Sequence, residues 1–426
     1  MNHNNEIKLI KKKLLSSIEI NKYNKELKET KCARMTKNVK TNIILLYNEI
    51  IEAVLWTNEQ INTQNIIFKV EEIEKIKDIP RPNNFNDHFY PDSLRNNMIN
   101  NAELKISCDF KINNLNYKII LVSKLKEDFN TELKYLFDNI KCMISWLYVG
   151  YKYSKCAKTI KKLTIYFYKF EHLKQLPKKG VTISPINVNS AYSNVCNGNN
   201  YELDIVLFRS EEWFKVFVHE TFHAYNLTIS PFYGKLDKHL FNIFGLSIEY
   251  NIGEAYAEFW ARIINICFLI LNSQTKYNKN QFIIEFEKYL DLERVFSLFH
   301  AMKVLNHNNM IIKYFYKENK DNDMIILLKQ QYIENTSVFS YYVIASILLI
   351  NSSKMLEWCY NNNDIILQFK NNETDIINFI SFIHKCLNTE CVKNYIKNID
   401  LWLNKDSNKN EKNGKTLRMS INEWIY

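Results

Sequence analysis

Apolar residues in TNIILLYNEIIEAVLWTNEQI (41–61) recur at three- and four-residue intervals, which predicts an amphipathic helix. The first hundred residues read as mostly helical and rich in lysine. The pattern breaks at DIPRPNNFNDHFYPDS (78–93), where Pro80, Pro82 and Pro91 among clustered asparagines mark a loop. The period then falls to two. ELKISCDFKI (103–112) and YKIILVSKL (117–125) read as paired strands around the turn NNLN. A long helix is predicted over NTELKYLFDNIKCMISWLYVGYKY, and strands over KLTIYFYKF and ELDIVLFR. Between those two strands, LPKKGVTISPINVNSAYSN reads as extended and irregular. The second strand runs straight into an apolar helix. Ser210 is its candidate N-cap, and Glu211 and Glu212 in the first turn suit the positive end of the helix dipole.

Beyond Pro231 the chain has no proline and most of it reads helical. The longest apolar run, VFSYYVIASILLI (338–350), falls short of the roughly 20 residues that cross a bilayer, so a buried core helix is expected. NKDSNKNEKNGKT (404–416) lacks apolar anchors and reads as a mobile segment. The pattern therefore predicts an α+β fold in three parts. These are a helical region over 1–100, a sheet-bearing part over 101–226 that ends in the apolar helix, and a helical part over 227–426.

Composition adds little to this picture. With 426 residues, 46% of them hydrophobic, the chain can bury a sizeable core. The net charge of +10 reads as lysine scattered over a solvated surface, in a composition biased towards Asn, Lys and Ile as AT-rich coding would give. The nine cysteines are odd in number and form no CxxC pair, which argues against a disulfide framework and a cysteine zinc site, and for a reducing compartment. The N-terminal stretch holds no apolar run long enough for a signal peptide, so an intracellular protein is expected. There is no Gly-rich phosphate loop and no GxSxG elbow. The lysines of the first forty residues lack the aromatic interleaving of a nucleic-acid site, so no nucleic-acid partner is expected.

The apolar helix carries the chemistry. In VFVHETFHA, His219 and His223 are four apart and so stand on one helical face, with Glu220 beside them. This HExxH spacing lets two imidazoles grip one Zn²⁺ while the glutamate takes a proton from the water that zinc acidifies. Two histidines and a carboxylate in so apolar a segment are costly to bury unless paired or bound to metal. A third ligand is needed. The HExxHxxGxxH continuation is excluded, because the positions it requires hold Asn226 and Ile229. IGEAYAEFWARIIN (252–265) supplies the alternative. Glu254 and Glu258 share a helical face, and two like charges at that spacing make sense beside a cation. Glu254 is read as the third ligand, with Glu249 a lesser rival. Glu258 is read as the acceptor for the far nitrogen of a ligating ring, most naturally His219. A simple pairing of Glu258 with Arg262 is the other reading. Ala257 and Ala261 would allow the two helices to approach.

HExxH followed by a helix bearing E-x-x-x-E resembles the gluzincins, and EAYAEFWARII is similar to the third-ligand helix of anthrax lethal factor-type peptidases. The resemblance covers only His219–His223 and Glu254–Phe259. The longer gap after His223 leaves room for an insertion around SPFYGKLDKHLFNIFG. The wider block INVNSAYSN…ELDIVLFRSEEWFKVFVHETFH and the composition are similar to uncharacterised predicted metallopeptidases of large DNA viruses. The resemblance implies a zincin-like zinc metallopeptidase acting on a polypeptide, in host cytoplasm or virion if viral. It also implies an edge strand, with 187–193 as candidate, that pairs with substrate backbone. A donor for the developing oxyanion is implied too, with Tyr250 as the candidate and Tyr341, Tyr342 and His300 as others. The alternative is a zincin fold serving as a silent structural or host-interaction protein.

Overall fold

The computed structural model describes residues 34–82, 88–125, 128–198, 201–230, 237–273, 278–316, 321–403 and 414–423. The lysine-rich start of the chain and most of the polar stretch over 404–416 lie outside these residues. The fold is α+β, built on one mixed six-stranded sheet. Its strands are β1 (Lys69–Glu72), β2 (Leu104–Ile112), β3 (Leu115–Ser123), β4 (Lys162–Tyr168), β5 (Ala191–Ser193) and β6 (Glu202–Leu207), in the order β1-β2-β3-β4-β6-β5. β2 and β3 form a hairpin from Leu104↔Ser123 to Ile112↔Leu115. Its turn is shorter than the expected NNLN, because Asn113 adopts a left-handed φ of 51° and closes it in two residues. β3, β4 and β6 are parallel, so crossover connections join them: a long helix between β3 and β4, and a mostly irregular stretch with one short helical turn, Pro185–Val188, between β4 and β6. β5 returns antiparallel to β6 at the sheet edge. β1 is a strand within the region read as helical. Four exposed residues carry no alternation that would reveal it.

Helix α1 (Lys37–Asn62) packs on α3 (Phe129–Tyr153), and α3 provides the crossover from β3 to β4. One sheet face, with Ile119, Leu121, Ile165, Phe167, Ile205 and Leu207, joins the main core. The other face, with Val122, Tyr166, Tyr168 and Val206, is closed by Tyr90, Phe208 and the short helix α2 (Asp92–Asn101). Burial of both faces explains why β4 is apolar along nearly its whole length.

The apolar helix, α4 (Trp213–Ala224), begins later than the sequence suggested. Glu212 takes a left-handed φ of 58° and becomes the N-cap in place of Ser210. After α4 the described chain is mainly helical: α5 (Asp237–Phe244), α6 (Ile252–Ser273), α7 (Lys279–His307), α8 (Asn322–Gln331), α9 (Ala345–Ile350), α10 (Ser352–Asn362), α11 (Glu373–Leu387) and α12 (Glu390–Leu403). The apolar run near 340 enters α9 through a π-helical turn, Phe339–Ile344, and is buried. No single helix among the described residues is long and apolar enough to cross a membrane.

Two local features depart from expectation. Cys156 and Cys196, 40 residues apart, form a disulfide that ties the end of the α3 crossover to the loop after β5. Counting cysteines could not reveal this pair, because the sheet brings the two loops together. Thr416, read as part of a mobile stretch, is buried and bridges to Gln175. The segment it opens, over 416–422, is buried throughout and pairs with the chain at Lys174.

Candidate metal centre

Every residue of α4 except His223 is buried. The helix is wedged between β5 and β6 on one side and α3 and α6 on the others. Gly150 on α3 permits this approach, since a Cβ there would lie 3.0 Å from the Tyr225 ring. The Tyr225 hydroxyl shares a 2.7 Å hydrogen bond with Tyr117 on β3, fixing the end of α4 to the sheet.

On the α4 face turned to α6, three donor atoms converge. Nε2 of His219 lies 2.9 Å from Oε2 of Glu254, and Nε2 of His223 lies 3.1 Å from the same oxygen. The two Nε2 atoms are 3.1 Å apart. A tetrahedral ion with bonds of about 2.0–2.1 Å holds its ligands about 3.3 Å apart, so this triangle matches one small divalent cation. Among the described residues it is the one cluster of three such side chains that could hold a metal.

Local sequence explains how Glu254 arrives there. Gly253 passes so close to the chain after α4 that a Cβ would lie 2.4 Å from the carbonyl oxygen of Ile229. The Thr228 hydroxyl donates to the Gly253 carbonyl at 2.7 Å. Asn251 receives the Glu254 N–H on its carbonyl at 3.2 Å, and its side-chain amide lies 3.4 Å from Oε1.

Glu258, one turn on, places Oε1 3.2 Å from Nδ1 of His219. The ring N–H does not point squarely at that oxygen, so the contact is a close charge approach rather than an aligned hydrogen bond. Lys215 donates to the same oxygen at 2.7 Å, and an Arg262 nitrogen lies 3.4 Å from Oε2. Both sequence readings of Glu258, as ring partner and as Arg262 partner, thus describe contacts that coexist.

Electrostatics follow from this geometry. Burial alone would lower the pKa of His219, but Glu254 and Glu258 outweigh it and push it up to about 10. Burial alone would raise both carboxylates. The two histidines hold Glu254 below its ordinary value instead, and Lys215, His219 and Arg262 hold Glu258 well below. Glu220 differs. Burial raises its pKa, and its Oε2 accepts a 2.8 Å hydrogen bond from the Ser193 hydroxyl on β5.

Of the expected oxyanion donors, Tyr250 is not brought to the site. Its buried hydroxyl donates to the Leu246 carbonyl at 2.9 Å and accepts from the Leu246 N–H at 3.0 Å, closing the turn after α5. The Tyr342 hydroxyl is spent on the Leu417 carbonyl, and Nδ1 of His300 on the Phe296 carbonyl. Glu249 is exposed and apart from the cluster. Tyr341 is at the site. Its ring centre lies 6.2 Å from that of His219, and it lines a recess together with Ala191, His219 and Glu220. It is carried by the π-helical turn, a deviation often found at functional positions.

Sequence reasoning passed over Ser193, Lys215 and Asn251. It also missed the segment after Thr416, whose alternation of Leu417, Met419 and Ile421 with polar residues was the available sign. No protein-family model, curated protein or solved structure matches the chain.

Proposed function

We propose that this chain is a zinc-dependent metallopeptidase with a zincin-like catalytic core of the gluzincin kind, hydrolysing peptide bonds in a polypeptide. One observation carries the reading. Three donor atoms from two helices meet within 3.1 Å of one another, with a buried glutamate one residue from the first. The residues fit zinc by chemistry as well as spacing, since two imidazoles and one carboxylate form a common catalytic donor set. His219, His223 and Glu254 would hold the ion. Zinc in such a set supplies Lewis acidity and lowers the pKa of water to about 7.

The protein's own groups supply the rest. Glu220 accepts a proton at a carboxylate oxygen and later returns it to the leaving amine. The Ser193 hydroxyl fixes the rotamer of that carboxylate and joins it to the edge strand. β5, at the end of the sheet beside α4, offers backbone groups to an extended peptide. Tyr341, whose ring lies beside that of His219, is the candidate donor to negative charge developing on the carbonyl oxygen.

The test combines metal content with hydrolysis of a peptide library. Wild type is expected to hold one zinc and to cleave. Glu220→Gln is expected to keep the zinc and lose about 10²–10⁴-fold in rate. Equal rates in the two proteins, or a zinc-loaded wild type that cleaves nothing, would sink the proposal.

A further inference from the structure

Behind the metal centre runs a buried polar seam to which the chemistry above assigns no role. Lys215 lies one turn before His219 on α4 and is 2% exposed. Its ammonium donates to Oε1 of Glu258 at 2.7 Å, and that same oxygen lies 3.2 Å from Nδ1 of His219. Arg262 meets Glu258 from another side. It approaches the other oxygen, at 3.4 Å, and its NH1 is committed to the Ser297 hydroxyl at 2.8 Å. Lys215 is itself held from behind. Met419 Sδ lies 3.7 Å from its ammonium. The backbone N–H groups of Met419 and Ser420 donate to the carboxylate of Glu212, which also takes the Lys174 ammonium at 2.9 Å.

Buried ion pairs contribute little to stability, because apolar replacements are often as stable or more so. A lysine at this spot gains its meaning from what its partner touches. We infer that Lys215 is a positioning residue of the metal centre: it clamps Oε1 of Glu258 against Nδ1 of His219 and so keeps Nε2 turned towards His223 and Glu254. This inference rests on the zinc reading given above. Without the lysine, the Glu258 carboxylate is free to swing to Arg262, and the His219 ring loses the carboxylate that faces its Nδ1 and biases its tautomer and rotation.

Zinc affinity, measured by competition with a chromophoric chelator, tests this on wild type, Lys215→Met, Lys215→Arg, Glu258→Gln and the Lys215→Met/Glu258→Gln double variant. Lys215→Met is expected to bind zinc about 10- to 100-fold more weakly. Arginine, which keeps the charge and the donors, is expected to recover most of that loss. Because the lysine acts through Glu258, adding Lys215→Met to Glu258→Gln is expected to weaken binding little further. In the nitrogen NMR spectrum of the zinc-loaded protein, His219 is expected to be protonated at Nδ1 in wild type. In Lys215→Met that signal is expected to be exchange-broadened. If Lys215→Met does not fold, Lys215→Gln decides by the same affinity measurement. A zinc-binding wild type with an unchanged Lys215→Met, or full additivity with Glu258→Gln, overturns this inference alone. A wild type that binds no zinc overturns the metal centre and this inference together.

Discussion

Two buried layers of this molecule follow opposite rules. On the outward side of the sheet, Val122, Tyr166, Tyr168 and Val206 meet Tyr90 and Phe208 in an apolar, mostly aromatic layer. The Tyr90 and Phe208 rings stack at 4.4 Å, and the Tyr168 hydroxyl is satisfied by the Pro80 carbonyl at 2.7 Å. Between α4 and α6, equally shielded from water, stand His219, Glu258, Lys215 and Arg262, with Glu212 and Lys174 just beyond. Taking an ion out of water costs several kcal/mol even after relaxation, and its partner returns that only when geometry is good. The aromatic layer shows that this chain can close a core without charges. The charges of the seam are therefore best understood by what they do: Lys215, Glu258 and Arg262 converge behind His219, at the one cluster among the described residues that could hold a metal.

The contrast can be broken at the ligands first. Glu254→Ala is expected to weaken zinc binding by more than about 100-fold, since even partners behind a ligand are worth 10- to 100-fold. Equilibrium dialysis reads this directly, and the aromatic layer is expected to keep its near-ultraviolet signal. The next largest effect concerns a half-buried carboxylate whose hydrogen-bond partners carry no charge. Glu334 receives hydrogen bonds from the Tyr332 hydroxyl and the Phe339 N–H, yet burial pushes its pKa up to about 8. The folded state therefore holds a proton that the unfolded state releases above about pH 4.5. The resulting stability is full below that pH and is lost as pH rises through about 8. Wild type is expected to lose stability relative to Glu334→Gln, by a few kcal/mol, between pH 5 and 8 in urea unfolding. Parallel curves would show that an uncompensated acid is no burden here.

Gly253→Ala comes third. The added methyl meets the Ile229 carbonyl, so about 1–3 kcal/mol of stability should go, and zinc affinity should fall with it because Glu254 is the next residue. Loss of stability with unchanged affinity would separate the helix approach from the ligand set. Smallest is Tyr168→Phe, on the other layer. Removing one hydroxyl whose acceptor is the Pro80 carbonyl should cost about 1 kcal/mol, with zinc affinity and hydrolysis untouched.

What the sequence disclosed was chiefly local. His219, His223, Glu254 and Glu258 declare themselves because each pair is spaced at one helical turn, strand β2 because its second half alternates, and β3, β4 and β6 because both faces of the sheet are covered. What stayed hidden depends on long-range meetings. Ser193 reaches Glu220 across 27 residues, and Lys215 reaches Glu258 across 43. No periodicity encodes such contacts. Tyr250 shows the converse error. Its position just before Glu254 suggested a catalytic hydroxyl, but a backbone turn at Leu246 had prior need of it. The helix start moved for a related reason. Glu212, which suits a first helical turn by type, is drawn instead to Met419 and Ser420.

That last attachment also sets an order of events during synthesis. The carboxylate of Glu212 and the backbone of Ser420 are separated by 208 residues. At roughly 5–20 residues added per second, the acid at the head of the histidine helix waits on the order of ten to forty seconds before the ribosome delivers its partners. His219, His223 and Glu254 all follow Glu212 within 42 residues, so the three candidate ligands exist well before the segment that holds Glu212 is made.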